Sequence, residues 1–370
     1  MKNKIFLFLL LIFVSCEPVI DTMEEVRDAI DYSKDNAVAA PSKDTILVMT
    51  WNIRFGCGAD ILWFGDACGG RTILTRDEVT TNLNRVIEEI NRIHPDVLLL
   101  QEVDIKTKRV AYIDQMKYIM DRTYFGWGTY ATSWNIQFIP SDGIGRMDFG
   151  NAILSVWPLS KGTHHPLPLR GDLDALTKSF YVRENAISCH VAMPNGREFN
   201  VANVHLSAFA TDDTKHRQLE TYLEICESLT SFGSQLIMGG DFNLLPPNSD
   251  SLDYCDEDMC EGESFHAPGD DPMHKDGSNY APEIDWMNLV YEKFYSSLPL
   301  DIYKPNQRDY FTHSTNPDTF WDRTLDYLFA SSPWVSGSHI THQDLRVHSD
   351  HAAVSALIKI EMLPTLRRVK

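Results

Sequence analysis

Residues 77–100 read DEVTTNLNRVIEEINRIHPDVLLL, and this stretch decides the fold class. Val79, Leu83, Val86, Ile87, Ile90 and Ile93 fall on one stripe of a 3.6-residue period, and Pro95 stops the helix they define. Residues 97–100 follow as an all-apolar strand, and residues 46–49 (ILVM) and 152–156 (AILSV) read as two more. Between them, residues 112–123 read as a helix. Residues 214–229 carry Leu219, Tyr222, Leu223 and Cys226 at helical spacing, and residues 235–238 return as a strand. Buried strands alternating with helices predict an α/β core. Residues 187–193 and 199–204 flank Asn195-Gly196, a two-residue hairpin signal, so the sheet is expected to be mixed.

The remaining sequence bounds what such a core does. With 370 residues, 43% hydrophobic and 23% charged, the chain can bury one large core or two medium ones, which excludes disorder as its main state. Its 33 Lys and Arg against 52 Asp and Glu give a net charge of −19, the wrong sign for indiscriminate binding of polyanions. A mean hydropathy of −0.25 excludes a polytopic membrane protein.

The N-terminus is different material. Lys2 and Lys4 precede a ten-residue apolar run, residues 5–14, ending at Ser15-Cys16. This predicts a signal peptide over residues 1–15, with cleavage before a lipidated Cys16 as in bacterial lipoproteins; simple secretion is the alternative. The expected product is an exported, membrane-anchored lipoprotein facing the periplasm or cell surface. Residues 16–43 read as its tether and residues 44–362 as the folded domain. Export permits disulfides among the six cysteines left after Cys16. Cys57 with Cys68 and Cys255 with Cys260 are the expected bridges, and Cys189 and Cys226 the buried thiols. A zinc site from Cys57, Cys68 and a nearby His is the alternative. Residues 246–285 hold twelve Asp and Glu against one Lys, without periodicity, and read as a long acidic insertion whose spacing does not fit a calcium loop.

Polar residues sit where strands end. Asn52 ends one, Glu102 follows LLLQ, His205 ends VANVH, Asp241 and Asn243 close MGGDFN, and Asp350-His351 precedes a final strand. Each alone has a structural explanation, but strand ends converge on one rim of a sheet. Hard oxygen donors with a His suit Mg2+ or Mn2+ rather than a zinc thiolate site.

The segments TWNIR, LLLQEVD, GNAILS, NVHLS, MGGDFN, RTLDYLF and SDHAAV, in this order across about residues 45–360, resemble the endonuclease/exonuclease/phosphatase superfamily, the deoxyribonuclease-like metal-dependent phosphoesterases. The resemblance implies two packed mixed sheets flanked by helices, a four-layer α/β/β/α sandwich. It implies that Asn52, Glu102 and Asp350 hold the metal, and that Asp241 and Asn243 position water or a second metal. His205, Asn243 and Asn151 would contact phosphate, and Asp326 would orient His351, a general base or phosphate contact. A carboxylate-oriented His titrates near neutrality, which favours His351 over Asp241 as base.

The sequence departs from nucleases resembling pancreatic deoxyribonuclease, which place an Arg two residues after the metal-binding Glu; here that residue is Asp104. Residues 61–64 (ILWF) form an aromatic loop suited to lipid, to a substrate ring or to a packed flap. The expected function is a metal-dependent hydrolase of small or lipid phosphodiesters, acting as a monomer. The alternative is a scavenging nuclease, with Arg54, Arg71, Arg146, Arg170 and Arg183 as candidates for a basic strip. A third is a binding lipoprotein without catalysis.

Overall fold

A computed structural model describes residues 23–139, 143–316 and 320–361; the expected signal peptide and Cys16 lie outside them. The first helix, α1 (Arg76–Ile93), starts at a capping box in which Thr75 and Glu78 satisfy each other's backbone N–H groups. It ends where His94 turns left-handed ahead of Pro95, and its buried face is the expected stripe apart from half-buried Ile93. The helix expected over 112–123 is shorter, α2 (Gln115–Arg122), because Asp114 caps it. After a short helix, α3 (Ala175–Phe180), the long α4 (Thr214–Leu229) has the expected bounds. Among the described residues no helix is long and apolar enough to cross a membrane.

The strands are β1 (Arg27–Asp28), β2 (Ile30–Ser33), β3 (Thr45–Asn52), β4 (Val97–Asp104), β5 (Trp127–Ile139), β6 (Gly143–Ser155) and β7 (Leu159–Pro166). They continue as β8 (Asn185–Ala192), β9 (Glu198–His205), β10 (Gln235–Asp241), β11 (Tyr295–Ser296), β12 (Asp326–Ala330), β13 (Ile340–His342) and β14 (Ala353–Lys359). They form two seven-stranded sheets, ordered β13-β14-β3-β4-β6-β5-β2 and β1-β7-β8-β9-β10-β12-β11. Each contains one parallel pair, β3 with β4 and β9 with β10. A parallel pair needs a crossover, and α1 and α4 lie within those two connections. The Asn195-Gly196 hairpin joins β8 and β9 antiparallel as expected. Both sheets are therefore mixed, with helices outside them, as the resemblance implies.

A continuous apolar core including Val48, Leu99, Ile153, Val201 and Ile237 fills the space between the sheets. Within it, Gln101 of one sheet donates to Asn203 Oδ1 of the other at 2.6 Å, and Asn203 donates back to the Leu100 and Ala152 carbonyls. This pinned polar crossing lies one residue from Glu102 and two from His205, so it fixes both strand ends relative to each other.

Two expectations are corrected here. Residues 27–33, read as tether, are the edge strands β1 and β2, one in each sheet; Trp157 also donates to the Ala40 carbonyl at 3.0 Å. Composition misses this because edge strands need few apolar residues. The expected pairs Cys57–Cys68 and Cys255–Cys260 are replaced by one bridge, Cys68–Cys260. Cys57 is drawn under α1 as a buried thiol, Cys255 is also buried and free, and Cys189 and Cys226 are buried thiols as expected. With Cys68 bridged, the zinc alternative at Cys57 and Cys68 falls.

Candidate active site

The carboxyl ends of the two parallel pairs meet at one end of the sandwich. Asn52 leaves β3 and donates through Nδ2 to Glu102 Oε1 and Asp241 Oδ2, each at 3.1 Å, while its Oδ1 accepts from the Arg54 N–H. Glu102 sits in a β-bulge of β4 at φ 56°. Arg54, Phe55 and Asn243, which line the same cleft, are also non-glycine residues at positive φ. Strained backbone of this kind, held by its surroundings, concentrates at functional sites.

His205, Asp241 and Asp326 lie abreast at the ends of β9, β10 and β12. Asp241 Oδ2 is 3.5 Å from Nε2 of His205 and 3.5 Å from Nε2 of His351. His351 bonds Asp326 Oδ2 through Nδ1 at 2.8 Å. Its backbone is tied to β3: the Trp51 indole donates to the His351 carbonyl at 2.9 Å, and Ser349 Oγ donates to the Asn52 carbonyl at 2.8 Å. Burial would lower the His351 pKa, but the Asp326 and Asp241 carboxylates outweigh it and raise it. His205 is raised in the same way, burial being outweighed by Asp241, Glu184 and Glu102.

Asn243 is fixed by three contacts. Its N–H donates to Asp241 Oδ1, its Nδ2 donates to the Leu206 carbonyl, and its carbonyl accepts from the buried Lys215 ammonium at 2.7 Å. Asp350 pairs through Oδ2 with Arg54 Nε at 3.1 Å and accepts from Ser349 Oγ. The cleft, about 290 Å³, is therefore bordered by Glu102, His205, Asp241, Asn243, Asp350 and His351 together. Asn52 and Asp326 support it from beneath. Asn151 does not border it; its amide donates into the backbone and side chain of Asn185.

Three expectations about the surroundings change. Asp104 is fully buried in a bidentate pair with Arg109, so it places no free charge at the cleft; Arg109 itself lines the cleft, stacked 3.7 Å from the Phe55 ring centre. The 61–64 loop divides: Trp63 packs 4.8 Å from Phe55, while Phe64 is 64% exposed. The acidic insertion forms a cleft wall through Asp258, Phe265, Ser278 and Tyr280. It is anchored by Asp258, which takes a bidentate bond from fully buried Arg323 beside β12, and by the Cys68–Cys260 bridge to the aromatic loop.

Sequence reasoning missed Glu184 and Lys215. Glu184 lines the cleft with its Oε2 buried and unpartnered, and burial, reinforced by Glu102 and Asp241 against His205, pushes its pKa up to about 7. Nothing in its local sequence marks it. Lys215 lies four residues before Leu219 on the apolar stripe of α4, and a charge on such a stripe is a signal of a buried pair; its partner is Glu283 at 2.7 Å.

The donors present suit a hard divalent cation. Glu102 and Asp350 are carboxylates bordering the cleft, and among the described residues Glu102 takes its hydrogen bond from the neutral Asn52 amide rather than from a cation. Asn52 joins them as a ligand only when its amide turns its oxygen away from Arg54.

The same fold occurs in solved structures. The solved endonuclease/exonuclease/phosphatase from Beutenbergia cavernae DSM 12333 is similar in fold, with 17% identity, 86% of this chain and 72% of that one covered, and a TM-score of 0.55. A functionally unknown conserved protein from Enterococcus faecalis V583 is similar at 14% identity, covering 85% of this chain and all of that one, with a TM-score of 0.51. No match to a curated protein was found. The model of the Endonuclease/Exonuclease/phosphatase family matches residues 49–351, and the chain belongs to this family of divalent-metal-dependent phosphoester hydrolases.

Proposed function

We propose that this enzyme is an exported, lipid-anchored hydrolase that uses Mg2+ or Mn2+ to cleave small or lipid phosphodiesters. The observation that carries the substrate class is the wall of the cleft. Phe55, Phe64, Phe149, Tyr181, Phe209 and Phe265 line it, with Phe64, Phe209 and Phe265 at 64%, 49% and 36% exposure. Such rings suit the organic part of a small substrate or an acyl surface. A long polyanion gains affinity from each free cation it meets. Here Arg54, Arg71, Arg146, Arg170 and Arg183 are each paired with a carboxylate. Residues 1–16 support export and the anchor.

Glu102 and Asp350 would hold the cation, with Asn52 joining on rotation of its amide. When bound, it supplies charge neutralisation at the phosphate oxygens and the leaving oxygen. The residues of the chain supply the proton chemistry. Asp241, placed between two imidazoles, accepts the proton of the attacking water. His351 is favoured in that role by its orienting carboxylate, but the Asp326 and Asp241 charges on either side of it favour its protonated form, so it and His205 serve as N–H donors to phosphate oxygens. Asp326 holds the His351 ring in that orientation.

The test is comparative kinetics on bis-p-nitrophenyl phosphate, sphingomyelin, phosphatidylcholine and duplex DNA, at low and physiological salt. Under this reading at least one small or lipid substrate exceeds DNA in kcat/KM at both salts. If DNA exceeds all of them, the enzyme is a nuclease.

A further inference from the structure

Away from the cleft floor, the irregular part of the acidic insertion gathers a second set of donors. A β-bridge between Asp253 and Asn279 closes its neck, and no helix or strand runs between them. Inside this loop Asp253, Cys255 and His266 each place one ligand atom within 4.8 Å of the other two. His266 is also within the same limit of Asp270 and Asp276. The inner contacts are His266 Nε2 to Asp253 Oδ2 at 2.7 Å and Cys255 Sγ to the Asp276 carbonyl at 3.3 Å.

This is more than a group of acids. Asp253, Cys255 and His266 bring a carboxylate, a thiol and an imidazole together, and the carboxylates of Asp270 and Asp276 lie beside the same imidazole. Hard cations such as Mg2+ and Ca2+ have no use for sulfur, whereas one sulfur, one nitrogen and two oxygens match the four-coordinate preference of zinc. Cys255 is 1% exposed and bound into no disulfide, and its S–H, which bonds the Asp276 carbonyl, is the proton released when the thiolate takes a metal.

We propose that Asp253, Cys255 and His266, completed by Asp276 or Asp270, form a structural zinc site in the insertion. Its consequence is local. Phe265, whose N–H donates to the Cys255 carbonyl at 3.2 Å, stands between the cleft and the His266 ligand, so bound zinc fixes this aromatic wall. In a loop with little regular structure, metal binding supplies ordering that packing does not. The site is independent of the substrate class proposed above.

The experiment is metal analysis of the whole purified protein, loaded with Zn2+ and dialysed against metal-free buffer. The wild type is expected to retain about one zinc per chain, and Glu102→Gln, altered at the cleft, to retain the same. Cys255→Ala and His266→Ala are each expected to lose at least about tenfold in retained zinc. Because either variant can misfold, the wild type is also loaded with Co2+, where a thiolate-to-cobalt charge-transfer band is expected. A wild type that retains no zinc and gives no such band overturns the site. So does zinc that survives Cys255→Ala but is lost in Glu102→Gln.

Discussion

His351 and Asp326 form a buried pair, Nδ1 to Oδ2 at 2.8 Å, that aims the other imidazole nitrogen at Asp241. The pair makes His351 a fixed N–H donor at the cleft floor. His351→Ala is therefore expected to lower kcat by about 10²-fold or more while the protein stays folded. Asp326→Asn keeps the ring but loses its orienting charge, so it should lower kcat with a smaller change in KM and shift the pH profile. Steady-state kinetics with circular dichroism check both; near wild-type turnover in His351→Ala would remove the donor role.

Glu184 gives a pH prediction with a definite sign. Its pKa in the folded protein is pushed up to about 7, above the ordinary Glu value near 4.5, chiefly by burial. The unfolded chain thus gives up this proton first as pH rises. The group's favourable contribution is complete below about pH 4.5 and is lost as pH rises through about 7. In chelator, the stability of Glu184→Gln minus that of the wild type should increase by on the order of 3 kcal/mol across that window. Urea denaturation at several pH values measures it, and a flat difference would contradict it.

Arg323 and Asp258 fasten the insertion to the strand that carries Asp326. The guanidinium is fully buried, and its two bonds to Asp258 are 2.6 and 2.8 Å. Arg323→Ala leaves Asp258 and Asp322 without their partner and should cost about 3–5 kcal/mol in chemical denaturation. A loss below about 1 kcal/mol would show the insertion to be held elsewhere.

The fold was legible where side-chain period and burial coincide. The α1 stripe, the strand before Glu102 and the Asn195-Gly196 hairpin could be read because each is local. Asn52, Glu102, His205, Asp241, Asp350 and His351 were legible because strand ends carry them to one rim. Glu184 was not, since its character comes from burial beside residues far away in sequence. The bridge was not either: Cys68 and Cys260 are 192 residues apart, and only the packed insertion brings them together.

That bridge is itself testable. Peptide mapping under non-reducing conditions should find Cys68 joined to Cys260, with Cys57 and Cys255 alkylated only after unfolding. In the chain-entropy model, a loop of this length contributes up to about 5 kcal/mol, so Cys68→Ser should lower Tm. A Cys57–Cys68 peptide would contradict the structure.

The central claim is that the convergent carboxylates at the cleft floor perform metal-dependent phosphoester hydrolysis. It is tested most directly by turnover of bis-p-nitrophenyl phosphate before chelation, after exhaustive chelation, and after adding back Mg2+ or Mn2+, for the wild type and for Glu102→Gln. The account predicts no turnover in chelator, recovery on addition of either ion to the wild type, and at least about a 10²-fold deficit in Glu102→Gln that excess ion does not fully restore. Full wild-type turnover in chelator, or an unimpaired Glu102→Gln, would contradict it.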